Sequence, residues 1–462
     1  MKFRTFSLLK RFSTIPKISP KICVVGSGPA GFYAAQYMAN RLETAQIDII
    51  ERLPVPFGLV RFGVAPDHAN LKNCINTFSK TAQLKNVRFM GNITLGRDVT
   101  LKQLKEAYHV VLLTYGVDDS RKLNIKGSDL RNIFQAKDFV GWYNGVPWNR
   151  DLTVDLSDTT ATIFGHGNVA IDVARLLLSP IDKLKSTDIT EHSLATFAQS
   201  RIKEVNLIGR RGPLQVSFTT KELRELLNLQ NCCTVWRPED MQDVPELVPK
   251  LVKPRKRLTE LMVDQFQKRQ TPKLDEKQLK MIFLRSAKEF GGSLKVESVK
   301  LQINRLEGDD LLEKKAVPTE REETIASSLV VASIGYKSVQ ADNDIPFNSQ
   351  LGVVENKYGK VDNGLYTAGW VAKGASGVLL HTMEHAFGVA SVILKDLELE
   401  GVKQTKPGFD FVRKLLDERN VQVVTWEDWL KIDEYEKNEG KKLNKPREKI
   451  VDIEQMLKIA AT

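Results

Sequence analysis

Apolar residues along this chain gather in short, unbroken runs that tend to stop at a glycine and give way to a helical pattern. The first is ICVVG, Ile22–Gly26, followed at once by PAGFYAAQYMANRL. IDIIE ends at Glu51, and VVLLTYG runs from Val110 to Gly116. ATIFG leads into NVAIDVARLLL, and VNLIG ends at Gly209. Apolar runs without alternation read as strands buried on both faces. Such strands alternating with helices predict an α/β fold. VVASIG and GLYTAG resume the same texture after about residue 330, and the tail from Gly401 to Thr462 is Lys/Glu-rich and amphipathic, a pattern of packing helices. ERLPVPFGLVRFGVAPDH, Glu51–His68, mixes Pro and Gly with apolar residues and reads as a rigid, packed loop.

Composition narrows the classes. A chain of 462 residues has room for two or three domains. Its 42% hydrophobic and 27% charged residues supply a core and exclude wholesale disorder, and no apolar run approaches the ~18–20 residues of a transmembrane helix. The formal net charge of +11 favours an acidic or phosphate-rich partner. No nucleic-acid-binding module accompanies that charge, so nucleic acid is not expected. Cys23, Cys74, Cys232 and Cys233 form no C-x-x-C pair, which excludes a disulfide framework, a redox dithiol and a Cys-ligated iron–sulfur cluster. Histidine is sparse and no H-E-x-x-H occurs, so no metal site is expected. Any electron carrier must then be a bound organic cofactor.

The opening MKFRTFSLLKRFSTIPKISPK carries Lys2, Arg4, Lys10, Arg11, Lys17 and Lys21, while the first acidic residue is Glu43. A basic, acid-free, Ser-containing leader is the composition of a mitochondrial transit peptide, expected here over residues 1–20.

The strand at Ile22 runs into Gly26-x-Gly28-x-x-Gly31. In such a turn the first glycine permits the bend, the second lets backbone approach a pyrophosphate, and the third lets helix and strand pack closely. The second strand ends in Glu51, twenty residues after Gly31, where a carboxylate accepts hydrogen bonds from a ribose hydroxyl. A 2′-phosphate would be repelled there, so this half suits FAD or NAD. A second cradle, Gly165-x-Gly167-x-x-Ala170, opens the helix after ATIF, and the strand that follows ends in Arg210-Arg211. Paired guanidiniums at that strand end suit the 2′-phosphate of NADPH. One cradle of each kind in one chain implies hydride transfer from nicotinamide to flavin. The Gly374–Gly377 stretch precedes another helix, whose N-terminus suits the electron-rich edge of a flavin ring. The expectation is two dinucleotide-binding, Rossmann-like domains, with the NADP domain (120–333) inserted into a split FAD domain (21–119 and 334–462).

VVGSGPAGFY, VPFGLVRFGVAPDH, FVGWYNG, GHGNVAIDVAR, GRRGPLQVSFTTKELRE, PRKRL, SIGYKS and KPREK occur in this order over nearly the whole chain after Lys21. They resemble the mitochondrial adrenodoxin reductase type of NADPH–ferredoxin reductase. One departure is His166, where the family commonly has glutamine. The resemblance implies FAD at Ala30, Glu51, Leu59, Leu95, Trp370 and Gly377-Val378-Leu379. It implies NADPH at His166, Gly167, Asn168, Val169, Arg210, Arg211, Glu222 and Gly377. His68 and Asp172 match residues that the family keeps beside flavin and nicotinamide, as candidates for a catalytic proton or gating role. Their sequence context also fits a loop-locking histidine and a carboxylate complementing a helix dipole. Thr219-x-x-Glu222 likewise reads as a capping box.

The implied acceptor is an acidic [2Fe–2S] ferredoxin, with flavin converting a two-electron donor into one-electron steps. Its docking surface would be Arg224, Lys253 and Arg257, in and near the basic stretch Lys250–Arg285. The expected location is the mitochondrial matrix, as a monomer with at most peripheral inner-membrane contact. The end uses implied are iron–sulfur cluster assembly, haem modification or cytochrome P450 systems. Competing readings are a flavin monooxygenase and a non-enzymatic FAD-binding adaptor.

Overall fold

The computed structural model describes residues 18–268 and 271–462. Most of the expected transit peptide therefore lies outside the described residues. The chain begins with strand β1 (Lys21–Val25), helix α1 (Pro29–Ala39), and strands β2 (Gln46–Ile50), β3 (Val87–Gly91) and β4 (Val110–Leu113). These four pair in parallel in the order β4-β1-β2-β3. The unbroken apolar runs follow from double-sided burial. Ile22 and Val24 join the hydrophobic cluster on one face of the sheet, and Cys23 and Val25 join the cluster on the other.

The chain then leaves to build a second sheet from β5 (Ile133–Gln135), β6 (Thr160–Phe164), β7 (Glu204–Ile208), β8 (Cys232–Trp236) and β9 (Lys277–Ile282). Helices α2 (Asn168–Leu178), α3 (Thr220–Leu227) and α4 (Arg255–Gln267) belong to this part. An antiparallel sheet of β10 (Arg285–Gly291), β11 (Ser298–Glu307) and β12 (Lys315–Ala326) follows, and the chain returns through β13 (Leu329–Ala332). The second sheet is wholly parallel, ordered β5-β13-β6-β7-β9-β8.

After β13 the first sheet is completed. β14 (Lys360–Asp362) and β15 (Leu365–Thr367) extend it beyond β4, and β16 (Val424–Thr425) closes its other edge against β3. The first domain is thus split around the second, as expected. Two connections cross between the domains, and they pair with each other as a short antiparallel ladder, Asp119–Ser120 with Tyr336–Lys337.

The three-stranded sheet and the edge strand β16 are absent from the sequence reading. Helix α5 (Leu379–Glu400) packs on α1, and the tail adds α6 (Trp426–Lys442). The tail does more than cover apolar surface. Glu436 on α6 is wholly buried, accepts the Ile450 N–H at 2.9 Å, and pairs with Arg61 and Arg447. Lys449 donates to the Asp188 carbonyl at 2.9 Å, and Lys72 pairs with the Asp188 carboxylate at 2.7 Å. The KPREK segment therefore ties a first-domain loop to the second domain through buried charges, each paired, which is the condition for burying them.

Candidate functional site

Each cradle is a strand–glycine–helix turn at the carboxyl end of a parallel sheet, where α/β folds place their ligands. Gly26 has φ 107°, and a Cβ there would lie 2.7 Å from the Thr114 carbonyl oxygen. A Cβ on Gly31 would lie 2.1 Å from the Gly26 carbonyl oxygen, so helix and strand touch backbone to backbone. Gly28 differs, because a Cβ there meets nothing within 4 Å. The second cradle repeats the arrangement. Gly165 (φ 127°) is closed by the Ser333 carbonyl at 2.1 Å, whereas Gly167 opens on empty space. Ala170, in place of the third glycine, is fully buried. The glycines that packing does not require are thus the two that backbone–phosphate contact would require.

Glu51 is turned onto the first cradle, accepting from the Ser27 N–H at 2.9 Å and the Ser27 hydroxyl at 2.7 Å. Ala30 lies under the cradle, with Gly369 so close that a Cβ on it would sit 2.6 Å from the Ala30 methyl. That contact brings the end of β15 and Trp370 to the same crevice. The indole of Trp370 stacks on Tyr336, and its buried N–H finds no partner among the described residues. Gly377, Val378 and Leu379 lead into α5, with Val378 and Leu380 exposed. Exposed apolar residues and an unpaired indole N–H along this crevice are what a bound flavin nucleotide would cover and satisfy. Leu59 is partly exposed after Gly58, which abuts Gly28. Leu95 is buried in the cluster that contains Val25 and Ile50.

In the second cradle Asn168 accepts the Thr219 N–H at 2.9 Å, and Val169 packs against the domain core. The His166 ring faces away from the opening. Its Nε2 contacts the Leu207 carbonyl at 3.1 Å, it lies 4.7 Å from the Phe283 ring, and burial pushes its pKa down to about 4. Gly209 accommodates that ring, since a Cβ there would lie 2.2 Å from His166 Nδ1. Only the backbone of His166 remains for a ligand. Arg210 is exposed, and half-buried Arg211 donates to the Gln215 carbonyl at 3.2 Å.

The two domains meet at a buried charge cluster. Arg175 on α2 holds both oxygens of Asp67, from the first domain, at 2.6 and 2.8 Å, and pairs with Asp172 at 2.8 Å. His68 lies 3.8 Å from Asp172, 3.7 Å from Glu222 and 2.5 Å from Glu225. His68, Asp172 and Glu222 could converge on a cation, but the Arg175 guanidinium already gives both carboxylates positive charge. Burial pushes the Asp172 carboxyl up to about 6, against the pull of Arg175 and His68. The Tyr143 hydroxyl, buried without a partner among the described residues, is pushed well above its usual range by burial and by the Asp172 charge. A cavity of about 360 Å³ borders the cluster at Asp67, His68 and Arg175, and is lined also by Glu225, Lys183 and Lys221.

Glu222 belongs to this cluster. Thr219 caps α3 by accepting the Glu222 N–H at 3.3 Å, but the reciprocal arm of the capping box is absent, because the Thr219 N–H goes to Asn168. Asp67, Arg175 and Glu225 are missing from the sequence reading. One signal was present, an arginine one turn after Asp172 inside an otherwise apolar helix. Arg224 and Arg257 are exposed on α3 and α4, which pack against each other, and Lys253 is exposed just before α4.

Two parallel dinucleotide cradles, meeting across a titratable cluster, define a two-domain α/β flavoprotein reductase. Residues 24–90 match the NAD(P)-binding Rossmann-like domain family. The chain is 46% identical to "NADPH:adrenodoxin oxidoreductase, mitochondrial" of Drosophila melanogaster, over 97% of this chain and 96% of that protein. It is 45% identical to the Homo sapiens protein of the same name, over 98% of this chain and 94% of that protein. It also resembles Mycobacterium tuberculosis FprA, solved in complex with NADPH, at 35% identity and a TM-score of 0.91, covering 96% of this chain and all of that one. The chain belongs to the NADPH:adrenodoxin oxidoreductase family.

Proposed function

We propose that this protein carries electrons from NADPH, through FAD, to an acidic [2Fe–2S] ferredoxin of the adrenodoxin kind in the mitochondrial matrix. The observation that carries the reading is the pair of unlike cradles: one closed by Glu51, which suits the ribose hydroxyls of FAD, the other by Arg210 and Arg211, which suit a 2′-phosphate. Sheet membership supports domain limits near 119/120 and 333/334, since β4 and β13 are the last strands before each crossing. Bound flavin supplies the chemistry of accepting a hydride and releasing electrons singly. The chain supplies position and proton management. Ala30, Glu51, Leu59, Leu95, Trp370 and Gly377-Val378-Leu379 would hold FAD. His166–Val169 (through backbone), Arg210, Arg211, Glu222 and Gly377 would hold NADPH. Asp172, His68 and Glu225 lie in series, 3.8 and 2.5 Å apart, with His68 and Glu225 on the outer cavity, and we assign the series to proton exchange. Purified protein should show a flavin spectrum that NADPH bleaches and ferredoxin restores. A flavin that NADPH leaves oxidised would overturn the reading.

Two further outcomes follow from it. Arg224, Lys253 and Arg257 lie exposed on adjoining elements, a suitable face for an acidic ferredoxin. With a Debye length of ~10 Å at 0.1 M salt, ferredoxin-dependent turnover should weaken steeply as ionic strength rises, while ferricyanide reduction changes far less. Arg257→Glu should raise the ferredoxin KM with FAD content intact. A parallel loss in both assays would make the basic face structural.

The strand that begins the fold starts at Lys21, so protein lacking residues 1–20 should fold and bind FAD. Import into isolated mitochondria should cleave the leader, and its retention after import would defeat the transit-peptide assignment. Among the described residues no helix is long and apolar enough to cross a membrane.

A further inference from the structure

A third guanidinium stands beside the arginine pair of the second cradle. Arg255 opens α4, and α4 packs on the turn Pro213–Gln215, whose Gln215 carbonyl holds Arg211. Lys253 and Arg257, two residues to either side, are exposed, whereas Arg255, like Lys256, is half-buried. Its Nη1 is buried and has no hydrogen-bond partner among the described residues. The charged groups that face it are Arg211 and Glu313; burial and the Arg211 charge both push its ionisation down. Glu313 is exposed. Two half-buried guanidiniums facing each other, one with a buried N–H that has no partner, destabilise the empty protein unless an anion joins them.

We infer that Arg255 is a further specificity-determining residue, contributing its buried guanidinium N–H to the 2′-phosphate of NADPH rather than to the ferredoxin-docking face. The inference rests on the assignment of NADPH to this domain. The chemistry is that of a phosphate dianion met by guanidinium donors, of which Arg210 and Arg211 supply the first two.

The test is calorimetric titration of the FAD-loaded protein with adenosine 2′,5′-bisphosphate, with 5′-AMP and with inorganic phosphate, for wild type, Arg255→Gln, Arg255→Lys and Arg211→Gln. Loss of one charge-assisted contact should weaken bisphosphate binding by about tenfold or more in Arg255→Gln, leave 5′-AMP binding unchanged, and be partly restored in Arg255→Lys. Without nucleotide, Arg255→Gln should melt at a higher temperature than wild type, because the like-charge contact is gone. A structural role would lower that temperature instead. Unchanged bisphosphate binding, equal losses for both nucleotides, or a raised ferredoxin KM as the only effect would each overturn the inference. Inorganic phosphate bound in an Arg255-dependent manner without an effect on the bisphosphate would mark a free-anion site and overturn it too. If wild type did not prefer the bisphosphate to 5′-AMP, or Arg211→Gln were without effect, the NADPH assignment itself would fail, which separates the two failures.

Discussion

Arg175→Met should lower the stability of the protein by about 3–5 kcal/mol, the cost of leaving buried carboxylates without their cation. Arg175 is almost wholly buried and serves carboxylates on both sides of the domain boundary, Asp67 in the first domain and Asp172 in the second, with Glu222 at 3.7 Å. The loss should depend on pH in a stated direction. In the intact protein burial raises the Asp172 carboxyl to about 6, against a usual value of 3.8, so the folded state binds more protons between those values and stability falls as pH rises through them. Removing Arg175 takes away the largest force opposing that rise, so the window extends upward and the variant weakens further toward neutral pH. Asp67 acts in the same sense. Despite its burial, the hydrogen bonds and charge of Arg175 hold its carboxyl below the usual range, and the stability this provides above that range is lost with Arg175. Thermal melts at pH 5 and pH 7.5 should therefore show the larger deficit at pH 7.5. A deficit independent of pH would mean that packing, not charge, is what Arg175 contributes. Arg175→Lys keeps the charge but loses the fork that grips both Asp67 oxygens, and should recover only part of the loss.

The cradles were legible in the sequence because their chemistry is local. A strand, three spaced small residues and a helix are contiguous, and Glu51 and Arg210-Arg211 sit at the ends of the next strands in sequence. The charge cluster was not legible, because its members come from separate elements. Asp67 and His68 lie in a loop of the first domain, Asp172 and Arg175 on α2, and Glu222 and Glu225 on α3; only tertiary packing brings them together. Asp172 read from sequence is a carboxylate near a helix start, and its burial, which sets its ionisation, has no sequence signature. Glu222 read as half of a capping box because the spacing is right. The competitor, Asn168 Oδ1, which takes the Thr219 N–H, lies far away in sequence. His166 shows the reverse case, a residue assigned by motif position whose ring turns into the core because Gly209 leaves room for it. The tail reads as packing helices, and nothing in its sequence shows that Lys445 and Lys449 of KPREK are buried against second-domain partners.

Gly28→Ala should give a folded protein that has lost its flavin, with FAD affinity reduced by about two orders of magnitude or more. The backbone at Gly28, φ −75° and ψ −174°, is open to any residue, and a methyl there meets no protein atom within 4 Å. The fold gives no reason for a glycine at this position, so its effect must fall on whatever occupies the open space. A methyl there keeps a pyrophosphate from the backbone amides, and two charge-assisted hydrogen bonds at about 1.5–3 kcal/mol each account for the expected loss. Gly31→Ala is the contrasting variant. Its methyl would lie 2.1 Å from the Gly26 carbonyl oxygen, so α1 must move off β1 and the protein itself should be destabilised. Gly167→Ala transfers the same logic to the second cradle, where a methyl again meets nothing within 4 Å. That variant should purify yellow, with normal FAD content, and need far more NADPH to bleach. Circular dichroism, bound-flavin absorbance and NADPH titration separate the three behaviours. A Gly28→Ala protein that keeps FAD at wild-type affinity would show that the pyrophosphate lies elsewhere, and the assignment of the first cradle would have to be withdrawn.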